Sequence, residues 1–151
     1  MTASRGFPRE IEALERVFEF TAEILPDVAV PPALRRSVDF VLEEYFTNIV
    51  KYGGGTGAIR IDIELSSSRV HVALTEPDAN CFDVTRVPPA DTTLPIEQRL
   101  PGGLGLHLAR RLVDTLEYDY APDERRSRIT FTINTPPATA ARTERVRDAG
   151  H

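Results

Sequence analysis

LEEYFTNIVKYG, residues 42–53, is the stretch on which the reading of this chain turns. Its apolar positions continue a stripe that starts upstream. Leu34, Val38, Val41, Leu42, Tyr45 and Ile49 recur at helical spacing and predict one amphipathic helix over about residues 33–51. Gly53-Gly54-Gly55 ends it, because glycine tolerates the left-handed backbone that closes helices. On such a helix Glu44 and Asn48 lie one turn apart and share a face. An asparagine carbonyl is a neutral oxygen ligand for Mg²⁺, an ion that takes its other ligands from water and substrate phosphates. A carboxylate one turn earlier is placed to accept a proton from a hydroxyl or water attacking a γ-phosphate. Glu43 competes for that role, and only the four-residue spacing to Asn48 favours Glu44. On spacing alone, two solvated polar residues on a helix is the commoner meaning of such a pair.

Outward from this helix the chain alternates helical and strand patterns. Ile11, Leu14, Val17, Phe18 and Ala22 predict a first helix over about residues 10–25, with a short edge strand near residues 5–8 before it. Pro26 and Pro31-Pro32 punctuate the connection to the second helix. Beyond the glycines, Ile59, Ile61, Ile63 and Leu65 alternate with Arg60, Asp62 and Glu64. Ser66-Ser67-Ser68 is a turn, and Val70, Val72 and Leu74 continue in a partner strand. Residues 77–103 are rich in proline and poor in apolar clusters, a length that marks a functional or disordered loop. A third helix over about 104–115 and two strands, about 116–121 and 128–134, complete the domain. Residues 136–151 offer little to bury and are expected to be disordered. The expected domain is therefore residues 1–135. It is an α+β two-layer sandwich, with three main helices packed on one face of a mostly antiparallel mixed sheet.

A second constellation is Pro101-Gly102-Gly103-Leu104-Gly105-Leu106, leading straight into the third helix. Glycines here let backbone N–H groups close on a phosphate, and the helix N-terminus adds positive potential. A dinucleotide fingerprint is excluded, since there is no GxGxxG and no strand directly before it. Arg99 and Lys51 are candidate phosphate cations by position, although exposed cations are more often simply solvated. His107 is expected to pack or cap at the helix start, His71 lies in a strand, and no two histidines have metal-ligand spacing. Cys81 has no basic partner that would activate it, and as the single cysteine it rules out an internal disulfide or a cysteine-rich zinc site.

Composition narrows the class. The 151 residues are 41% hydrophobic and 27% charged with a net charge of -5, the profile of one globular domain with a core and no broad basic face for nucleic acid. No run of about eighteen apolar residues occurs, and Pro8 and early acidic residues argue against a signal peptide. The expected location is the cytoplasm.

Taken together and in this order, the two motifs resemble the ATP-binding fold shared by gyrase-type ATPases, histidine kinases and the anti-sigma-factor serine kinases (a Bergerat-type fold). LEEYFTNIVKYG is similar to that family's asparagine box. LPGGLGLHLARRLVDTLEYDY, residues 100–120, is similar to the glycine-rich box and following elements of the small bacterial serine kinases. The resemblance covers about residues 5–134. It implies ATP and Mg²⁺ as cofactors, with Asn48 ligating the metal and Glu44 as general base. Gly102, Gly103, Leu104, Gly105 and Leu106 would hold phosphates through their backbone, and residues of about 84–102 would form a lid. It also implies a serine on an anti-anti-sigma protein as phosphate acceptor, a sigma factor as alternate partner, and a possible homodimer. The short length speaks against a gyrase subunit, and the lack of a phospho-acceptor histidine helix against a complete histidine kinase.

One stretch departs from the pattern. The family's adenine-reading aspartate falls on Pro77 and its glycine on Ala79 when the alignment is anchored on Phe82-Asp83. Glu76 or Asp78 would substitute if the loop shifts by a residue. Ser127 stands where the family has a late asparagine. A non-catalytic binding module of the same fold is the alternative that this departure keeps open, and an ATPase with no protein acceptor is a third.

Overall fold

The alternation of residues 59–65 becomes an inner strand of a five-stranded sheet, next to its central strand, residues 69–76. The computed structural model describes residues 1–86 and 102–135. In it β1 (Thr2–Phe7), β2 (Ile59–Leu65), β3 (Arg69–Glu76), β4 (Thr115–Ala121) and β5 (Arg126–Asn134) lie in the order β1-β2-β3-β5-β4. All four pairings are antiparallel. The β2–β3 turn closes on Ser66, whose N–H donates to Arg69 O at 3.0 Å while its hydroxyl oxygen accepts from Arg69 N at 3.2 Å. Register then fixes the faces. Ile61, Val72, Phe131 and their same-face neighbours are buried under helices, while Arg60, His71, Arg128 and Asp119 stand on the uncovered side.

Three helices cover the apolar face. A single 3₁₀ turn, Ile11–Ala13, leads into α1 (Leu14–Ile24). Pro32 opens α2 (Pro32–Tyr52) as its first residue, where a missing N–H costs nothing. The helix closes with Gly53 N–H donating to Ile49 O at 2.9 Å, and the left-handed residue is the next one, Gly54, at φ 74°. The third helix, α3 (Gly102–Leu112), begins two residues before its expected start and ends three before its expected end. The early stop has a cause. Asp114 N–H donates to Thr132 O at 2.8 Å and its carboxylate accepts from Asn134 N–H at 2.7 Å, which draws the chain into β4 from Thr115. The expected tail, 136–151, and all but the first three and last residues of the expected lid lie outside the described residues.

Packing ties these layers together. The Phe7 and Phe20 rings meet at 5.8 Å, and the Arg5 guanidinium lies 4.6 Å over Phe20 while pairing with Glu23 at 3.0 Å, so β1 is held to α1. The buried Thr21 hydroxyl donates to Asp39 and joins α1 to α2. Tyr45 enters the core from α2 and meets Phe131 of β5 edge-on at 6.2 Å. Both are fully buried.

This parity is testable on adjacent residues. Phe131→Ala is expected to destabilise the fold by about 3–5 kcal/mol, the usual cost of deleting a buried aromatic. Thr130→Ala, one residue away on the open face, is expected to change stability by no more than about 0.5 kcal/mol. Denaturant unfolding of the two variants reads the difference.

Candidate functional site

Glu44 sits one residue before the core anchor Tyr45, and that placement sets its environment. The roughly 100° step between neighbours on a helix sends Tyr45 to the sheet and leaves Glu44 at the seam between α2 and α3. Its carboxylate rests against Gly105 of α3. A methyl group at that glycine would stand 2.5 Å from Glu44 Oε2 and 2.6 Å from Oε1. Gly105 therefore does more than free its own backbone: its missing side chain is the space that Glu44 fills. Half-burial pushes the Glu44 carboxyl above its ordinary range, with Glu43 adding to the rise and Lys51 opposing it.

One turn on, the Asn48 side chain donates from Nδ2 to the Val84 carbonyl at 2.9 Å. A carbonyl only accepts, so this contact fixes which end of the amide is nitrogen. Oδ1 is left as the acceptor end. Val84 is buried at the end of segment 80–84, which runs along the last turns of α2. There the Asn80 N–H donates to Gly53 O at 3.2 Å, and the Phe82 and Tyr52 rings lie 6.4 Å apart. Asp83 stabilises the next bend by accepting from Thr85 N–H at 2.9 Å.

The other expected site residues fall into distinct places. Lys51 is exposed on the last turn of α2 and near enough to Glu44 to act on its charge. Gly102 and Gly103 form the first turn of α3 with Leu104, so the expected glycine loop is helix from Gly102 onward. Leu104 is exposed, whereas Leu106 is buried in the core. Arg99 lies outside the described residues. His107 is exposed and does not pack at the helix start. Cys81 is a free, exposed thiol.

Glu76 needs a correction. It was a candidate reader of a ligand base, but it is 1% exposed and its acceptors are engaged inside the protein. Arg9 donates to Oε2, Gly55 N–H reaches the same oxygen at 3.3 Å, and the Ser127 hydroxyl lies 3.4 Å from Oε1. Asp78 is exposed with φ 51°, a left-handed conformation unusual for a residue with a side chain. Its neighbour Ala79 is fixed on both sides: its N–H donates to Arg125 O at 2.7 Å, and its carbonyl accepts from Tyr120 Oη at 2.9 Å. Arg9 was not identifiable beforehand. It lies between two elements with no periodicity, and its partner is 67 residues away.

Among the described residues no cluster of His, Cys, Asp and Glu could hold a metal ion. That is compatible with Mg²⁺ held by one amide oxygen together with nucleotide phosphates and water. No described helix is long and apolar enough to cross a membrane.

The Glu44–Gly105 contact makes a direct prediction. Gly105→Ala is expected to fold, because a glutamate can swing aside, and to expel the carboxylate into water. The Glu44 ionisation, followed by NMR of its side-chain carboxyl, should then fall back toward the usual glutamate range. A carboxyl that still titrates as in the parent protein would show that the methyl group is accommodated without displacing it.

No curated protein matches the chain. A family model, the histidine kinase-like ATPase domain, matches residues 7–133, from the last residue of β1 almost to the end of β5. That span holds both motifs and all three helices, so the chain belongs to the histidine kinase-like ATPase domain family and has its ATP-binding fold.

Proposed function

We propose that this chain is an ATP- and Mg²⁺-dependent protein-serine kinase of the anti-sigma type. It phosphorylates a serine of an anti-anti-sigma protein and alternately sequesters a sigma factor, acting in the cytoplasm as a transcription regulator. The observation that carries the reading is Glu44 held against Gly105 with its basicity raised, one turn from an Asn48 amide whose orientation is fixed. Asn48 Oδ1 would hold Mg²⁺ on this reading, and the bound ion would supply charge neutralisation to the phosphates. Glu44 accepts the proton of the attacking serine hydroxyl. As the serine Oγ–P bond forms, the bond from the γ-phosphorus to its bridging oxygen breaks and ADP leaves. The amides at the start of α3 and the Lys51 ammonium stabilise the phosphate oxygens.

The second reading is a binding module of the same fold that sequesters its partner without catalysis. It draws on Pro77, which has no acceptor side chain and no N–H, and on Glu76, whose carboxylate is spent in the interior. The two readings part in one set of measurements. The protein is incubated with Mg–ATP and an anti-anti-sigma protein from its own source, while a nonhydrolysable ATP analogue is titrated by calorimetry. The kinase reading expects phosphoserine on the partner and analogue binding that is lost in Asn48→Ala. Glu44→Gln should keep binding and lower transfer about a hundredfold or more, the usual contribution of a general base. Absence of phosphoserine, with analogue binding absent or indifferent to Asn48, would leave only the binding module.

The pH profile is a separate check. The base must be ionised to act, so transfer falls as pH drops through the Glu44 pKa. Because burial raises that pKa, the acid limb should lie above about 4.3, the value of an unperturbed glutamate. An acid limb at or below that value would remove Glu44 from the role.

A further inference from the structure

The most enclosed ionic contact described lies next to the site, outside its reacting groups. Arg9 follows β1, and its side chain is 15% exposed against 1% for Glu76. The Arg9 guanidinium donates from Nη1 to Glu76 and also to the carbonyl of Ile49, at 3.3 Å, the residue directly after Asn48. Glu76 in turn receives the N–H of Gly55 and the hydroxyl of Ser127. The turn after α2 is wrapped closely around this pair. A methyl group at Gly53 would stand 2.3 Å from Glu76 Oε2, and one at Gly55 would stand 2.5 Å from Arg9 Nη2. Five segments thus meet on two side chains: the end of β1, the last turn of α2, the turn beyond it, the end of β3 and the start of β5.

Stability does not account for this arrangement. A buried ion pair contributes little against a well-packed apolar replacement, because desolvation cancels most of the attraction. Here the desolvation is incompletely offset, since Arg9 Nε and Nη2 are buried without a hydrogen-bond partner among the described residues. What the pair does hold is geometry. It fixes the carbonyl next to Asn48 from below, while Gly53, packed on Glu76, accepts from Asn80 at the start of the segment whose Val84 carbonyl orients the Asn48 amide.

We propose that Arg9 and Glu76 are positioning residues for the nucleotide site, setting the turn of α2 that presents Asn48. The proposal rests on Asn48 acting toward Mg–nucleotide. The test is calorimetric titration of the full chain with a nonhydrolysable Mg–ATP analogue, alongside thermal unfolding, for Arg9→Met, Glu76→Leu, the double variant and Arg9→Lys. Each apolar single variant leaves one buried charge unpaired and should lower Tm and weaken binding. The double variant removes both charges and should recover Tm toward the parent value. Its affinity should stay about tenfold below the parent's, the effect of losing a hydrogen bond from a charged donor. Arg9→Lys retains the charge, but its ammonium ends one bond short of the Nη1 that serves Glu76 and Ile49 together, so it should weaken binding at nearly unchanged Tm. A double variant that binds within twofold of the parent would overturn the proposal. If the double variant does not fold, unchanged affinity in Arg9→Lys does so. Failure of the parent protein itself to bind the analogue would instead strike the nucleotide reading of Asn48, and this inference with it.

Discussion

The seating of the Glu44 carboxylate against Gly105 is the contact on which the site depends. It requires α2 and α3 to approach closely at one point, and only a glycine there leaves room for a carboxylate. The same closeness removes water from one side of Glu44 and raises its basicity. A general base gains from that shift, since a more basic carboxylate has a stronger hold on the proton it must take. A glycine within a helix costs about 1 kcal/mol against alanine, and here the cost is tied to an identifiable geometric return.

The sheet makes this contact possible by fixing α2 from behind. Tyr45 is sunk against Phe131, and Val38, Val41, Leu42 and Ile49 are all fully or almost fully buried. A helix anchored along so many turns cannot rotate without exposing its stripe, so Glu44 and Asn48 inherit their direction from the core. The last turn is secured differently. It has run past the main core anchors, and polar contacts take over: Arg9 on the Ile49 carbonyl, and Asn80 on the Gly53 carbonyl. Packing sets Glu44; hydrogen bonding sets Asn48.

The elements that were legible in the sequence are those with local, periodic causes. The stripe of α2 and the alternation of β2 depend on neighbours within a few residues, and both are where their patterns place them. The C-terminal end of α3 differs from its expected place because it depends on distant partners. Thr132 and Asn134 hold Asp114 and end the helix, and no local signal announces them. Gly105 shows a subtler limit. Its presence suggested a backbone approach to phosphate; the group that lies against it here is the Glu44 carboxylate, and glycine does not say what approaches. Glu76 was misread for a related reason. At a strand end beside a proline it looked available, yet parity turned it inward, where Arg9 and Ser127 take it up. A residue 67 positions away decides its role.

The absence of an aspartate at position 77 weighs less on activity than it first suggests. A hydrogen bond between a carboxylate and a base amine contributes about 1.5–3 kcal/mol, which is roughly ten- to a hundredfold in affinity. On the kinase reading the phosphate end would draw on a metal ion, a cation and helix amides acting on several negative charges, and of residues 76–79 only Glu76 bears on it, through the turn that presents Asn48. Losing base recognition therefore weakens a nucleotide complex without removing its chemistry. Losing Glu44 has the opposite consequence, because the complex would still form but the attacking hydroxyl would have no acceptor for its proton. On the kinase reading, the division between a kinase and a silent binding module therefore runs through the α2–α3 seam, and Pro77 and Ala79 set how much nucleotide is needed to fill the site.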